Sequence, residues 1–384
     1  MKKLIKLTVL FVLLFTLLFP GMGHAQQPVK VVIDGKVQTL AVSPMIKNGR
    51  TLVPLRGIFE KLGAKVTWEQ KTQSITLEKL STKIKLTIGS DVAVVNGKQI
   101  KLSEPAQLIN NRTFVPLRFV AEGLSGKVTW DQAKHTVNIT TLESLLMQKV
   151  NSVTLNSYTT EMVIQQLMEM AGEKVDLNIR VKGDFIVEPM QMHTNSTMTL
   201  LGEKVVSEEY LTKEGYYIHD PSIGMWVKYP DEFLTNLDEL TATISNDPLA
   251  QYEMMINYLQ EVVAVETENH YVMKMKLTNE GFAAMMEDVL DMLLPLMGED
   301  EEINIFDMIT IDEFEAVTYY DKKTFFPLTS EVITKLTIAI DGEKLKMTQK
   351  MTAKFSNINS IKSIKIPQEI IDNAINFEDL VFTN

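Results

Sequence analysis

The segment RTLVPLR, at Arg50–Arg56, returns as RTFVPLR at Arg112–Arg118, 62 positions further along the chain. Two more pairs of blocks share this offset: DGK at Asp34 with NGK at Asn96, and VTWE at Val66 with VTWD at Val128. A fixed offset between three separate blocks indicates an internal duplication. We therefore predict two copies of one unit, at about residues 29–79 and 91–141.

Each unit is predicted to combine short β-hairpins with one short helix. Apolar runs ended by glycine-containing turns indicate the opening hairpin, and alternating segments at Val66–Trp68 and Ser74–Leu77 indicate the closing one. Pro54 suits the first turn of a helix, where its missing N–H is no loss. The helix is predicted over Leu55–Leu62, and its apolar face would consist of Leu55, Ile58, Phe59 and Leu62.

Six residues of the repeated motif are candidates for a role: Pro54, Arg56, Trp68, Pro116, Arg118 and Trp130. The arginines could bind anions, and a partly exposed tryptophan could stack on a sugar. The structural alternative, which we favour, is that each arginine braces a carboxylate or backbone carbonyls near its helix, while each tryptophan packs against that helix.

The repeated VPLR segment, its short helix and the VTWE/VTWD hairpin resemble the copper amine oxidase N-terminal-like domain, also called a stalk domain. The resemblance covers roughly residues 29–141 and implies an accessory, wall-associated module of exported Gram-positive proteins. It implies no copper chemistry, because the copper and quinone of those oxidases belong to a separate catalytic domain.

A second domain is predicted over residues 142–384, beginning with a short amphipathic helix that ends near Val150. From Ser157 onward, long alternating segments separated by tight-turn signals indicate an antiparallel meander. Helical patterns interrupt it at 231–240, 248–259 and 279–297. The predicted fold class is α+β: the duplicated hairpin-and-helix module, followed by a curved antiparallel sheet (half-barrel) with helices in its concave face.

This order of elements resembles the LolA/LppX-like half-barrels, which include lipoprotein carriers, and in particular their uncharacterised secreted Gram-positive members. The resemblance implies a cavity for an acyl chain or another apolar ligand. Of the 22 methionines, 19 lie at or beyond Met147, and flexible thioethers suit adaptable apolar surfaces, although ordinary core filling is an alternative. The candidate cavity residues are Met162, Ile164, Met168, Phe282, Met285, Met286, Val289 and Met292.

The N-terminus is typical of a secretory signal peptide. Three lysines precede the 13-residue apolar run Leu7–Phe19, and Gly23-His24-Ala25 supplies small residues for cleavage after Ala25. The run is short of the roughly 20 residues that span a bilayer, so we expect a secreted chain that is not membrane-spanning after cleavage. With 0 cysteines, the chain has neither a lipoprotein acylation site nor disulfides.

Charge divides the chain into two parts. Residues 26–143 carry 17 basic and 9 acidic side chains, a net charge of +8, whereas residues 144–384 carry 18 basic and 40 acidic ones, a net charge of −22. The basic part would attract an anionic cell-wall polymer. It could instead dock on its acidic neighbour.

No catalytic signature stands out. The sequence has no paired-histidine motif, nucleophile elbow, phosphate loop or dinucleotide fingerprint, and the methionines are not grouped with histidines as a copper site would require. The acidic run Glu299–Glu302 lacks the ligand spacing of a calcium loop. We therefore expect a protein that is not an enzyme, without cofactor, metal or nucleic acid.

These observations predict a secreted, non-catalytic cell-envelope protein: a wall-associated module joined to a domain that binds a lipid-like or other apolar ligand. One alternative is a structural or adhesive wall protein whose second domain is solid. Another is a wall-glycan hydrolase, which would need a cleft with two carboxylates.

Overall fold

The computed structural model describes residues 29–230, 259–279, 281, 309–340 and 343–381. The predicted signal peptide and acidic run lie outside the described residues, as do the three predicted internal helices apart from a few residues at the edges of the last two.

Short strands and two helices make up the N-terminal region, residues 29–141. In chain order they are β1 (Lys30–Ile33), β2 (Lys36–Val37), β3 (Met45–Lys47), β4 (Arg50–Pro54), α1 (Leu55–Phe59), β5 (Lys65–Glu69), β6 (Ser74–Lys79), β7 (Thr82–Thr87), β8 (Val92–Val95), β9 (Lys98–Lys101), β10 (Gln107–Ile109), β11 (Arg112–Pro116), α2 (Leu117–Gly123), β12 (Lys127–Asp131) and β13 (Thr136–Thr140). Helix α1 is shorter than predicted, but all four residues of its predicted apolar face are buried.

The first hairpin of each predicted unit turns at a residue pair with left-handed backbone. Asp34-Gly35 has φ values of 46° and 78°, and Asn96-Gly97 has 48° and 82°. Two successive positive φ angles are typical of the two-residue turn that matches strand twist, and Asn-Gly and Asp-Gly are its preferred sequences. The equivalent turns therefore follow from local sequence.

The two halves of the N-terminal region exchange strands. Strand β1 pairs in parallel with β13, giving a sheet of order β12-β13-β1-β2, while β8 and β9 extend β5-β6-β7. In a third sheet β4 pairs with β11, with Val53 opposite Val115, Leu52 opposite Pro116 and Pro54 opposite Phe114. Val53 and Val115 are equivalent positions of the two repeats. The two equivalent strands β4 and β11 therefore pair with each other symmetrically about these two residues.

A single hydrophobic core fills the N-terminal region. It joins Val31, Ile58 and Phe59 from the first half to Val115 and Ile139 from the second. Ile58, Phe59 and Val115 are each 0% exposed. Full burial of side chains from both halves means that neither half has a core of its own.

The C-terminal region, residues 142–381, is built mainly of long strands. Its described elements are α3 (Leu142–Val150), β14 (Ser157–Met170), β15 (Glu173–Ile186), β16 (Gln191–Leu200), β17 (Glu203–Thr212), β18 (Gly215–Asp220), β19 (Met225–Lys228), β20 (Leu259–Glu266), β21 (His270–Leu277), β22 (Ile309–Asp321), β23 (Pro327–Ile340), β24 (Glu343–Ser356), α4 (Gln368–Asn373), β25 (Ile375–Asn376) and α5 (Phe377–Val381).

The described strands of this region form one half-barrel sheet of twelve strands, in the order β20-β21-β22-β23-β24-β14-β15-β16-β17-β18-β19-β25. Neighbours are antiparallel except β19 and β25. Two meanders meet where β14 pairs with β24, so strands about two hundred positions apart in the chain lie side by side. In the C-terminal segment, Ile366 and Ile370 pack against Tyr210 of β17 and Tyr217 of β18.

Candidate functional site

One face of the half-barrel sheet is apolar along β14 and its neighbours. Met162, Ile164 and Met168 are separated by even numbers of positions on β14 and therefore point to the same side of the sheet. Their cross-strand partners are also apolar: Val181 and Ala353 beside Met162, Ile179 and Met351 beside Ile164, and Val175 and Met347 beside Met168. We call this side the apolar face. All three predicted cavity residues of β14 are half-buried.

The opposite side of the sheet carries charged pairs. Lys182 Nζ lies 2.9 Å from Glu161 Oε1, and Lys335 Nζ lies 2.7 Å from Glu313 Oε2. The hydrogen bond and charge of Lys182 lower the pKa of Glu161 below its usual range. Exposed pairs of this kind contribute little to stability, but they distinguish this side of the sheet from the apolar face.

Helix α3 covers one end of the apolar face. Leu142 and Leu146 pack against Ala264, Met273 and Tyr320 of the strands β20, β21 and β22. At another end, Tyr158 stacks on Phe185 with ring centroids 5.1 Å apart. Burial raises the pKa of the Tyr158 phenol above its usual range. The remaining predicted cavity residues, on the 279–297 segment, lie outside the described residues: Phe282, Met285, Met286, Val289 and Met292.

An open groove of about 670 Å³ lies in the N-terminal region, beside the first motif. Pro54, Arg56 and Trp68 line it, together with Arg112 from the other half of the region. Trp68 is half-buried: it packs against the core and donates its indole N–H to Gln70 Oε1 at 2.8 Å. This is groove 1.

A second open groove, of about 360 Å³, lies beside the second motif. Pro116, Arg118 and Trp130 line it, together with Arg50 from the first half. Trp130 is also half-buried, and its indole N–H donates to Gln132 Oε1 at 2.7 Å. This is groove 2. The structure therefore brings all six predicted motif residues to the walls of two grooves, three to each.

The arginines of the grooves are exposed and mostly unpaired. Arg118 Nε lies 3.8 Å from Glu122 Oε1, and its side chain is 63% exposed. Within the described ranges, the guanidinium groups of Arg50, Arg56 and Arg112 have no ion-pair partner. Arg118 therefore makes only a long ion pair with a carboxylate. Among the described residues, Arg56 makes none. Arg50 and Arg112 were not singled out from the sequence, although both begin the repeated RTLVPLR and RTFVPLR blocks.

The residues that the structure describes form neither a cluster of metal ligands nor a membrane-spanning helix. No group of three or more His, Asp or Glu side chains there is placed to hold a metal ion. Similarly, no helix in those ranges combines the length and the apolar character needed to cross a bilayer.

Comparison with known proteins gives matches on both regions. Residues 32–139 match the copper amine oxidase N-terminal domain. Primary amine oxidase of Klebsiella aerogenes is 28% identical over 102 residues, which are 25% of this chain and 14% of the oxidase. The chain thus spans about one seventh of that relative's length.

Two solved structures are similar to more than half of this chain. A DUF1329 family protein from Desulfovibrio piger is 10% identical, with 58% of this chain and 92% of that chain covered and a TM-score of 0.19. A LolA superfamily protein from Nitrosomonas europaea is 11% identical, with 59% and 96% covered and a TM-score of 0.17.

Residues 142–375 match DUF6612, a family of unknown function. Because this match spans more than half of the chain, the protein belongs to the DUF6612 family.

Proposed function

We propose that this protein is a secreted, non-catalytic cell-envelope protein that binds a lipid-like or other apolar molecule on the apolar face of its C-terminal sheet. The observation that carries the proposal is the unequal burial of apolar side chains in the two regions. In the N-terminal core, Leu52, Ile58 and Phe59 are 0% exposed. On the apolar face, Met162, Ile164 and Met168 are only half-buried, although apolar residues flank them on both neighbouring strands.

Incomplete burial leaves free energy available for binding. Removing apolar surface from water contributes about 25 cal/mol per Å², so a ligand that covers several half-buried side chains gains several kcal/mol. Methionine side chains adjust their shape at small cost, which suits a flexible acyl chain better than a rigid ligand. The helices predicted in the concave face would complete the enclosure of such a ligand.

The N-terminal region supports an accessory role in this proposal. Equivalent strands of residues 29–79 and 91–141 fall at the same 62-residue offset as the repeated blocks, which is what two copies of one unit would give. The net charge of +8 on residues 26–143 favours contact with an anionic cell-wall polymer, and the signal-like N-terminus supports a location outside the cell.

A paired substitution on β14 tests the apolar-ligand proposal. We expect Met162→Glu to weaken uptake of a fluorescent fatty acid by about 10-fold or more, because a carboxylate on the apolar face loses its hydration when the ligand binds. Val163→Glu is the matched control, since Val163 is the next residue and points to the charged side of the sheet. Its uptake should stay within about twofold of the unchanged protein.

Fluorescence titration of the full chain measures both variants. Equal loss in the two variants would show that the probe does not bind on the apolar face. If the unchanged protein takes up no probe, the structural or adhesive alternative replaces the proposal.

A further inference from the structure

The two grooves of the N-terminal region are built alike. Thirteen of the fourteen residues that line groove 2 are related to a residue of groove 1 by the 62-residue shift, in one direction or the other. Each groove takes its tryptophan from one half of the region and an additional arginine from the other half. Strand exchange between the halves therefore creates two equivalent sites rather than one.

Each groove combines a flat ring with two cations. In groove 1 the half-buried Trp68 ring shares the walls with Arg56 and Arg112, and in groove 2 Trp130 shares them with Arg118 and Arg50. In each groove the indole N–H of the tryptophan donates a hydrogen bond to a glutamine side chain, Gln70 or Gln132, which holds one edge of the ring in place. A fixed aromatic ring offers an apolar body beside a polar rim, and guanidinium groups bind carboxylates and phosphates in a fork geometry.

We infer that grooves 1 and 2 are twin binding sites for an anionic polysaccharide, with one charged sugar unit held between tryptophan and arginines in each. This inference deepens the proposed contact with a wall polymer and rests on it. A stacked ring beside cations matches a sugar that carries a carboxylate or phosphate better than it matches a polyanion without rings. A nucleic acid also carries rings and one phosphate at every unit, and the test below distinguishes it from an anionic polysaccharide.

Two equivalent sites on one rigid core favour polymers over short fragments. A chain that reaches both grooves binds the second one intramolecularly, and such linkage raises affinity by about 10²–10⁴-fold without any new contact. Groove 1 should be the stronger site, because Arg118 of groove 2 lies 3.8 Å from Glu122, whereas Arg56 and Arg112 of groove 1 have no ion-pair partner among the described residues.

Intrinsic fluorescence gives a direct readout on the full chain. The protein has 3 tryptophans, so a Trp226→Phe background leaves only Trp68 and Trp130, one in each groove. We expect polygalacturonate to change this fluorescence saturably. Polyglutamate, which has the charge but no sugar, should not change it.

Paired arginine substitutions identify the sites. Arg56→Gln with Arg112→Gln removes the cations of groove 1, and Arg50→Gln with Arg118→Gln removes those of groove 2. Each pair should weaken polygalacturonate binding by about 10-fold or more, since bivalency is lost. With a trigalacturonate probe, each pair should lower the stoichiometry from two to one. The matched control is Lys98→Gln with Lys101→Gln, which removes two exposed charges outside both grooves and should cost less than about threefold.

The outcomes separate this inference from the broader proposal. If the lysine control loses as much affinity as the arginine pairs, and polyglutamate competes equally, a basic surface attracts polyanions and the twin-site inference is wrong. If neither polygalacturonate nor polyglutamate binds, both the twin-site inference and the wall-polymer proposal are wrong. Tighter binding of single-stranded DNA than of polygalacturonate would overturn the inference in favour of a nucleic acid.

Discussion

Replacing Glu143 by alanine is expected to lower the free energy of unfolding of the N-terminal region by about 3–5 kcal/mol. Glu143, at the start of α3, lies 2.7 Å from Lys79 Nζ, and the two side chains are only 12% and 3% exposed. The same carboxylate accepts the backbone N–H of Ala264 in the C-terminal sheet. Its removal leaves the buried ammonium group of Lys79 without a counter-charge, which is the costly way to break such a pair.

Urea unfolding followed by circular dichroism measures this effect. Glu122→Ala is the matched control, because Glu122 is also a helical glutamate near a basic residue, but its side chain is 56% exposed. It should change the unfolding free energy by less than about 1 kcal/mol. A loss at Glu143 as small as that at Glu122 would mean that water reaches Lys79 and that the ion pair does not join the two regions.

The first half of the N-terminal region is not expected to fold when it is produced without the second half. Residues 29–150, which keep Glu143 and α3, should unfold in one cooperative transition, whereas residues 29–90 alone should show none. The reason is that β1 finds its partner in β13 and β4 finds its partner in β11, so the first half keeps only the pairs within β1–β2, β3–β4 and β5–β7. A chain of that size with an incomplete core rarely folds without another source of stability.

Thermal unfolding by circular dichroism, with the association state checked by size-exclusion chromatography, decides this prediction. A stable, cooperatively folding monomer of residues 29–90 would contradict it. A dimer would agree with strand exchange, since a second copy can supply the missing partners.

The sequence predicted local structure better than it predicted pairing. The repeated blocks predicted the turns and the buried face of α1, because turn chemistry and helical spacing are local signals. Alternation likewise predicted that Met162, Ile164 and Met168 share a face of β14. Their role in a ligand site stays a prediction.

Strand exchange could not be read from the sequence in the same way. Alternation shows which side a residue faces, but it does not show which strand lies beside it. The parallel pairing of β1 with β13 joins residues more than one hundred positions apart, and β7 lies between the repeated blocks without a motif of its own. Arg112 and Trp68 therefore meet in groove 1 for a reason that only the tertiary structure supplies.

Native mass spectrometry of the full chain, purified from its natural host without detergent, tests the central claim most directly. If the apolar face holds a lipid-like ligand, the protein should carry an additional mass that organic solvent extracts as an apolar molecule. A mass equal to the polypeptide alone, together with no uptake of added fatty acid, would contradict the account.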